Sequence, residues 1–298
     1  MQHVSVLLHE SIEGLNLKPG DTAIDGTTGM GGHSLEIANA IGADGMLLAL
    51  DLDEDALEKA KVRLKDVSAT VRFEQGSFKD VFHHAREAGV RSARGILLDL
   101  GWNATQLEAG RGFSFHAEDP LIMTYLKRPE AKETAAAIVN EWSERDLADI
   151  IGTLGEERYA SRIANAIVAR RRIAPIETAK DLADVVGSAV PGWYRHGRVH
   201  PATKTFQALR ITVNSELSAI EEGVRESLAV LGDGGRLVII TFHSLEDGLV
   251  KRLFKDAEKK GRGTIITKKP ITPTLDEIRV NPRARSAKLR IFEKHETH

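Results

Sequence analysis

The chain contains no cysteine. Disulfides, thiolate metal sites and iron–sulfur clusters are therefore closed to it, and so is methylation of a pyrimidine ring carbon through a Cys nucleophile. No run of eighteen apolar residues occurs, and no basic stretch followed by an apolar segment stands at the N-terminus, which predicts a cytoplasmic protein with neither a membrane span nor a secretory signal. No Gly-x-Ser-x-Gly elbow is present to support hydrolase chemistry, and no metal-ligand spacing appears, so no metal is expected. A single-signed charge excess is also missing: the net charge is −2, and the 42% hydrophobic and 28% charged content is that of an ordinary globular protein. At 298 residues the chain has room for one large domain or two smaller ones.

The near-neutral total hides an asymmetry. Residues 1–157 carry 15 Lys+Arg against 27 Asp+Glu, residues 158–210 carry 10 against 3, and residues 251–290 carry 13 against 4. Two basic segments on an acidic background suit a nucleic-acid footprint, and equally a solvated helix face with a basic tail.

The most informative stretch is Ala23-Ile24-Asp25-Gly26-Thr27-Thr28-Gly29-Met30-Gly31-Gly32-His33-Ser34, a short apolar strand, a glycine-rich turn and a helix start. A second apolar run, 46–50, ends in the acids Asp51, Asp53, Glu54 and Asp55. Strand, glycine turn, helix, strand and acid is the shape of a nucleotide-cofactor half-site, the acid being placed to take ribose hydroxyls. The turn has no Lys followed by Ser or Thr, so a Walker phosphate cradle is absent, and Ser34 stands where a dinucleotide fold needs its third glycine. An acidic strand end without a pyrophosphate cradle suits S-adenosylmethionine, with Asp25 placed to favour its positive charge. A ligand-free turn is the plainer alternative.

Further apolar runs at 71–74, 95–100 and 236–241, with helical patterns at 34–41 and 54–65, predict a mostly parallel, doubly wound α/β sheet. Phe78 after the third run suits an adenine stack or a core aromatic, and Asp99 at the fourth suits a base's amino group or a helix cap. An amphipathic helix is expected within 3–17. Helical patterns at 131–142, 143–154, 156–172 and 178–189, with no buried strand among them, predict an all-helical insertion. It closes with Pro191-Gly192-Trp193-Tyr194-Arg195-His196-Gly197-Arg198, which reads as an RNA-contacting loop or as an exposed linker. One long helix is expected over 204–231, and two short strands at 264–267 and 288–293 finish the sheet in the manner of methyltransferases rather than dehydrogenases. His243 and Ser244 stand at the end of the 236–241 strand, where substrate is approached.

Several segments, in order along nearly the whole chain, carry a resemblance: Asp25-Gly26-Thr27-x-Gly29-x-Gly31-Gly32-His33-Ser34, Gly95-Ile96-Leu97-Leu98-Asp99-Leu100-Gly101, Arg111-Gly112-Phe113-Ser114-Phe115, His200-Pro201-Ala202-Thr203-x-Thr205-Phe206-Gln207-Ala208-Leu209-Arg210, Phe242-His243-Ser244-Leu245-Glu246-Asp247 and Asn281-Pro282-Arg283-Ala284-Arg285-Ser286. With these the chain resembles the MraW family, which methylates N4 of a cytidine in the decoding region of bacterial small-subunit rRNA. The resemblance implies a Rossmann-like S-adenosylmethionine-dependent methyltransferase core, divided over 1–107 and 205–298, with a helical substrate-recognition domain at 108–204. It implies that Gly31, Gly32 and His33 bind S-adenosylmethionine, Asp51 its ribose, and Phe78, Asp99 and Gln106 the rest of the cofactor. The chain departs from the family pattern at Trp102-Asn103-Ala104-Thr105, and at Pro120-Leu121-Ile122-Met123-Thr124-Tyr125, where an acid and a base are lost together.

By position, Asp99 and Asn103 are candidates to accept the hydrogens of the target amine. Trp102, His200, Lys204, Arg210, His243 and Ser244 are candidates for the substrate side. The expected partner is small-subunit rRNA, with monomer and homodimer both open. A nicotinamide-dependent dehydrogenase and a binding-only ribosome-assembly protein remain as rival readings.

Overall fold

The computed structural model describes residues 5–100, 110–115, 118–126 and 129–295. Strands β1 (Thr22–Asp25), β2 (Met46–Asp51), β3 (Thr70–Gln75), β4 (Ala93–Asp99), β5 (Leu231–Thr241), β6 (Gly263–Ile265) and β7 (Lys288–Lys294) form a seven-stranded sheet in the order β3-β2-β1-β4-β5-β7-β6. The run from β3 to β5 is parallel, and β7 joins β5 and β6 by antiparallel pairing. The connections from β1 wind toward β3 while those from β4 wind the other way. The chain therefore reverses between β1 and β4, and a parallel sheet opens a crevice at such a point beyond its carboxyl edge.

Helices α1 (Leu8–Leu15), α2 (Gly32–Ile41), α3 (Glu54–Arg63) and α4 (Val81–Glu87) accompany the first four strands. The helical unit follows, with α5 (Ala135–Glu141), α6 (Glu144–Thr153), α7 (Ala160–Arg171), α8 (Ala179–Ala189), the single turn α9 (Gly192–Arg195) and α10 (Thr203–Asn214). Helices α11 (Glu216–Val230), α12 (Ser244–Lys259) and α13 (Leu275–Val280) complete the chain's return to the sheet. Two compact units result, 1–102 with 217–298, and 103–216. The helical unit runs past the expected close at 204 because Phe206 and Leu209 on α10 belong to its apolar core. None of the described helices is long and apolar enough to cross a membrane.

The apolar runs are continuous because the sheet is buried on both faces. Ile24, Leu48, Ile96, Leu98 and Ile239 point into one core with α4, α11 and α12, while Ala23, Leu47, Leu97 and Val238 point into the other with α1, α2 and α3. Neighbouring residues thus serve opposite layers, as the period of a strand requires. The N-terminal segment is bound into this layer: Leu7 donates its N–H to Glu277 on α13 at 2.7 Å.

The long helix expected over 204–231 is two helices. Ser215 sits in the left-handed region at φ 49° and ends α10, and α11 starts at the next residue. The Asn214 side chain donates to the carbonyls of Arg210 and Met123, at 2.9 and 2.8 Å, and accepts from Tyr125 N–H at 2.9 Å. Those bonds stop the helix without the usual Gly or Pro. Strand β5 also begins earlier than expected, at Leu231. Its register against β4 jumps from Ala93↔Leu231 to Gly95↔Arg236, so the glycine-rich stretch is looped out as a bulge.

The Phe242–Asp247 segment is the joint between β5 and α12. Glu246 accepts from the N–H of Phe242 (2.7 Å) and His243 (3.3 Å), while His243 Nδ1 accepts from Glu246 N–H at 3.4 Å, which closes a capping box. Asp247 then takes Arg290 Nε at 2.6 Å and Lys288 Nζ at 3.1 Å, tying α12 to β7. Arg290 is only 5% exposed, so removing its carboxylate partner strands a buried charge. Asp247→Ala is expected to cost about 3 kcal/mol in urea unfolding, and Lys288→Ala, whose ammonium is more exposed, under about 1 kcal/mol. Equal, small losses would show that the pair does not hold this joint.

Candidate active site

The turn after β1 is pinned on both sides. Gly26 N–H donates to Leu97 O of β4 at 2.9 Å, and Thr28 N–H donates to Leu50 O of β2 at 2.8 Å. Asp51, at the end of β2, reaches into the turn: one oxygen accepts Gly29 N–H at 2.7 Å and the other accepts Asp53 N–H at 2.8 Å. Burial pulls the Asp51 carboxyl above its ordinary range, against these backbone bonds. Each oxygen keeps a lone pair for a further donor such as a sugar hydroxyl.

The glycines of the turn have different reasons. Gly31, at φ 76°, precedes α2, and a side chain there would strike Leu64 and Ala60, so this glycine lets α2 pack against α3. A Cβ on Gly32 would meet the Ser5 hydroxyl. Gly29 is the one that faces outward: at φ 52° it has nothing within 4 Å of its Cβ direction. Of the three, Gly29 therefore leaves open space beside the turn, on which a ligand fits.

Asp25 does not play the part the sequence suggested. It is wholly buried, and it accepts Ser34 Oγ–H at 2.6 Å and Thr27 N–H at 3.1 Å. Its charge is spent inside the fold, holding β1 to the first turn of α2. Ser34, which occupies the third-glycine position of a dinucleotide fingerprint, is needed there as that donor. His33 is likewise buried; its Nε2 lies 3.1 Å from Val6 O and its Nδ1 3.8 Å from Asp99 Oδ2. It supports the turn from beneath and contacts the carboxylate at the end of β4.

Asp99 is the accessible acid of the crevice. Its backbone N–H donates to Thr27 Oγ1 at 2.6 Å, and its side chain is 22% exposed. Phe78, half buried at the exit of β3, lays its ring against the backbone at Gly223 in α11 and its Cβ beside Gly26. Two neighbours of this edge went unread in the sequence. Thr27 orients Asp99, and its signal is a hydroxyl two residues past a strand-end acid. Leu52 is 40% exposed just past Asp51, an apolar side chain in an otherwise acidic run.

The expected site residues fall into two sets. Gly31, Gly32, His33, Asp51, Phe78 and Asp99, together with His243 and Ser244, lie at or just past the carboxyl edge of the parallel sheet. His200, Lys204 and Arg210 lie in the helical unit. There the His200 ring stacks on Phe115 at 4.3 Å, Lys204 Nζ donates to Glu156 O at 2.7 Å, and Arg210 makes a two-pronged pair with Glu216 at 2.8 and 2.9 Å. Tyr125 joins that pair through its hydroxyl, 2.8 Å from Glu216. The Arg210–Glu216 pair therefore lies beside the 120–125 segment. Trp102, Asn103 and Gln106 lie outside the described residues.

The buried position of Asp25 has a thermodynamic signature. Desolvation raises its pKa from 3.8 to about 6, against the bonds from Ser34 and Thr27. Between those values the folded chain retains a proton that the unfolded chain releases. Stability from this group is therefore greatest below pH 4 and falls as pH rises toward 6, by on the order of 3 kcal/mol. In Asp25→Asn this component is expected to vanish. Urea unfolding of the variant and the native chain at pH 4.5 and 7.5 measures it, and an identical pH dependence in the two would refute the assignment.

The sequence profile of the MraW methylase family matches residues 1–295. Ribosomal RNA small subunit methyltransferase H of Clostridioides difficile is 42% identical over 308 aligned positions, covering 98% of both chains. The protein of the same name from Koribacter versatilis is 47% identical over 297 positions, covering 97% of this chain and 92% of its own. That from Sulfurihydrogenibium sp. is 44% identical over 291 positions, again covering 98% of both. A profile match along nearly the entire sequence, over a crevice built as described, shows that this chain belongs to the MraW methylase family.

Proposed function

We propose that this protein transfers a methyl group from S-adenosylmethionine to the exocyclic N4 of a cytidine in the decoding region of small-subunit rRNA. The observation that carries this reading is the open backbone at Gly29, bonded to Asp51, in a turn whose Thr27 accepts from Asp99, at the point where the strand order reverses. It occurs in a chain alike along its length to proteins named ribosomal RNA small subunit methyltransferase H.

Asp51 would hold the ribose of the cofactor, the Gly29–Gly32 backbone its amino-acid part, and Leu52 and Phe78 its base. When bound, the cofactor supplies an electrophilic methyl group on a positively charged sulfonium. The rest of the chemistry falls to the chain. The lone pair of cytosine N4 is delocalised into the ring, so the site must fix the base in place and accept its N–H hydrogens. Asp99 is suited to this because its backbone is held by Thr27 and its carboxylate is partly exposed. The carbonyl of Leu100 and the side chain of Asn103 are further acceptors in this reading, and Trp102 a surface for the base. A base in folded RNA must first be turned out of its stack, a task suited to the helical unit with its basic 158–210 segment.

Transfer of tritiated methyl to small ribosomal subunits from cells lacking this protein, with nucleoside analysis, tests the proposal. N4-methylcytidine is expected from the native chain, with at least roughly a hundred-fold loss in Asp99→Ala, the scale of an essential transition-state acceptor. Cofactor binding with no label in RNA would instead support the binding-only alternative. The rate on subunits is expected to fall roughly ten-fold or more between 50 and 200 mM salt while cofactor affinity stays level. Parallel salt dependence of the two would remove the basic segment from substrate binding.

A further inference from the structure

In the helical unit the guanidinium of Arg158 lies over three aromatic rings, 4.9 Å from the centroid of Tyr159, 4.7 Å from Trp193 and 5.0 Å from Tyr194. Among the described residues no carboxylate pairs with it, and the residue is exposed. The support beneath it is rigid. Glu157 is buried and accepts the Tyr194 hydroxyl at 2.6 Å and Tyr159 N–H at 2.8 Å. Tyr159 and Tyr194 meet edge to face at 5.1 Å, and Trp193 stands at right angles to Tyr194. Burial and the neighbouring Glu157 push the Tyr194 phenol up to about 12, so this hydroxyl remains a donor at any physiological pH.

Trp193, by contrast, is 66% exposed. An indole left open beside a flat cation carries no weight in the apolar core, and it stands in a strongly one-signed stretch. From Val185 to Ser215 the chain has no acidic residue, while Arg195, His196 and Arg198 follow directly on the aromatic pair and are exposed. A stacking face flanked by exposed cations suits an unpaired nucleobase with the phosphates on either side of it.

We propose that Trp193 and Arg158 form a stacking platform for an unpaired base of the substrate RNA, separate from the base that reacts, with Arg195 and Arg198 taking the adjoining phosphates. This rests on the reading of RNA as substrate and adds a specific grip to it. The platform stacks a base without reading its identity, and it holds the strand at a fixed register.

Equilibrium binding of the full chain to a single-stranded oligoadenylate, and to an abasic RNA of the same length, tests it. The native protein is expected to favour the oligoadenylate. Trp193→Ala should lose about ten-fold on the oligoadenylate, the scale of one lost base–aromatic stack, with no change on the abasic strand. Trp193→Phe should recover most of the loss, and cofactor affinity should be the same in all three. Native-like binding by Trp193→Ala, or an equal loss on both strands, overturns the platform. Methyl transfer to subunits combined with that result would leave the enzymatic reading standing. Trp193-dependent binding in a protein that transfers no methyl group would do the reverse.

Discussion

The Ser34 hydroxyl donates to a carboxylate that sees no water, and the geometry of the crevice depends on that bond. It fixes the start of α2 to the end of β1, so the glycine turn between them has both ends defined. The neighbouring strands do the rest, Leu97 and Leu50 each taking one N–H of the turn and Asp51 taking a third. A loop held at this many points keeps its backbone in one shape before any ligand arrives, so binding does not have to order it. The carboxylate at the centre is destabilised by its own burial. Strain of that kind persists where the position of a group matters more than the stability of the whole.

Much of the sheet was legible because its strands are buried on two sides and read as unbroken apolar runs. Residues 46–50 and 95–98 are such runs, and each lies within an observed strand. The break at Ser215 was not legible for a related reason. The apolar positions Phe206, Leu209, Val213 and Leu217 keep helical spacing across it, and the stop comes from the side chain of Asn214 bonding to a segment some ninety residues earlier. Periodicity records which face is buried, and it carries no trace of a long-range cap. Asp25 shows the same limit at the site: a strand-end acid reads as a ligand group until Ser34 is seen to claim it.

The helical unit is organised around acids as much as around cations. Glu157 collects Tyr194 and the backbone of Tyr159, and Glu216 collects Arg210 and Tyr125. In both places a tyrosine hydroxyl shares the carboxylate, which holds an aromatic ring in place next to a basic residue. Tyr125 closes the 120–125 segment. Its hydroxyl donates to Glu216, the first residue of α11, and its backbone N–H donates to Asn214, the last residue of α10.

The bond from Leu7 to Glu277 joins residues 270 positions apart, and it carries a consequence for synthesis. Val6 and Ser5 lie against His33 and Gly32, so the segment beneath the glycine turn is anchored at its other side by the last third of the chain. At about 5–20 residues per second, roughly a quarter of a minute to a minute separates the appearance of Leu7 from that of Glu277. Strand β7, which lies between β5 and β6, comes later still. Until Glu277 is made, the segment beneath the glycine turn therefore lacks one of the bonds that hold it in the folded chain.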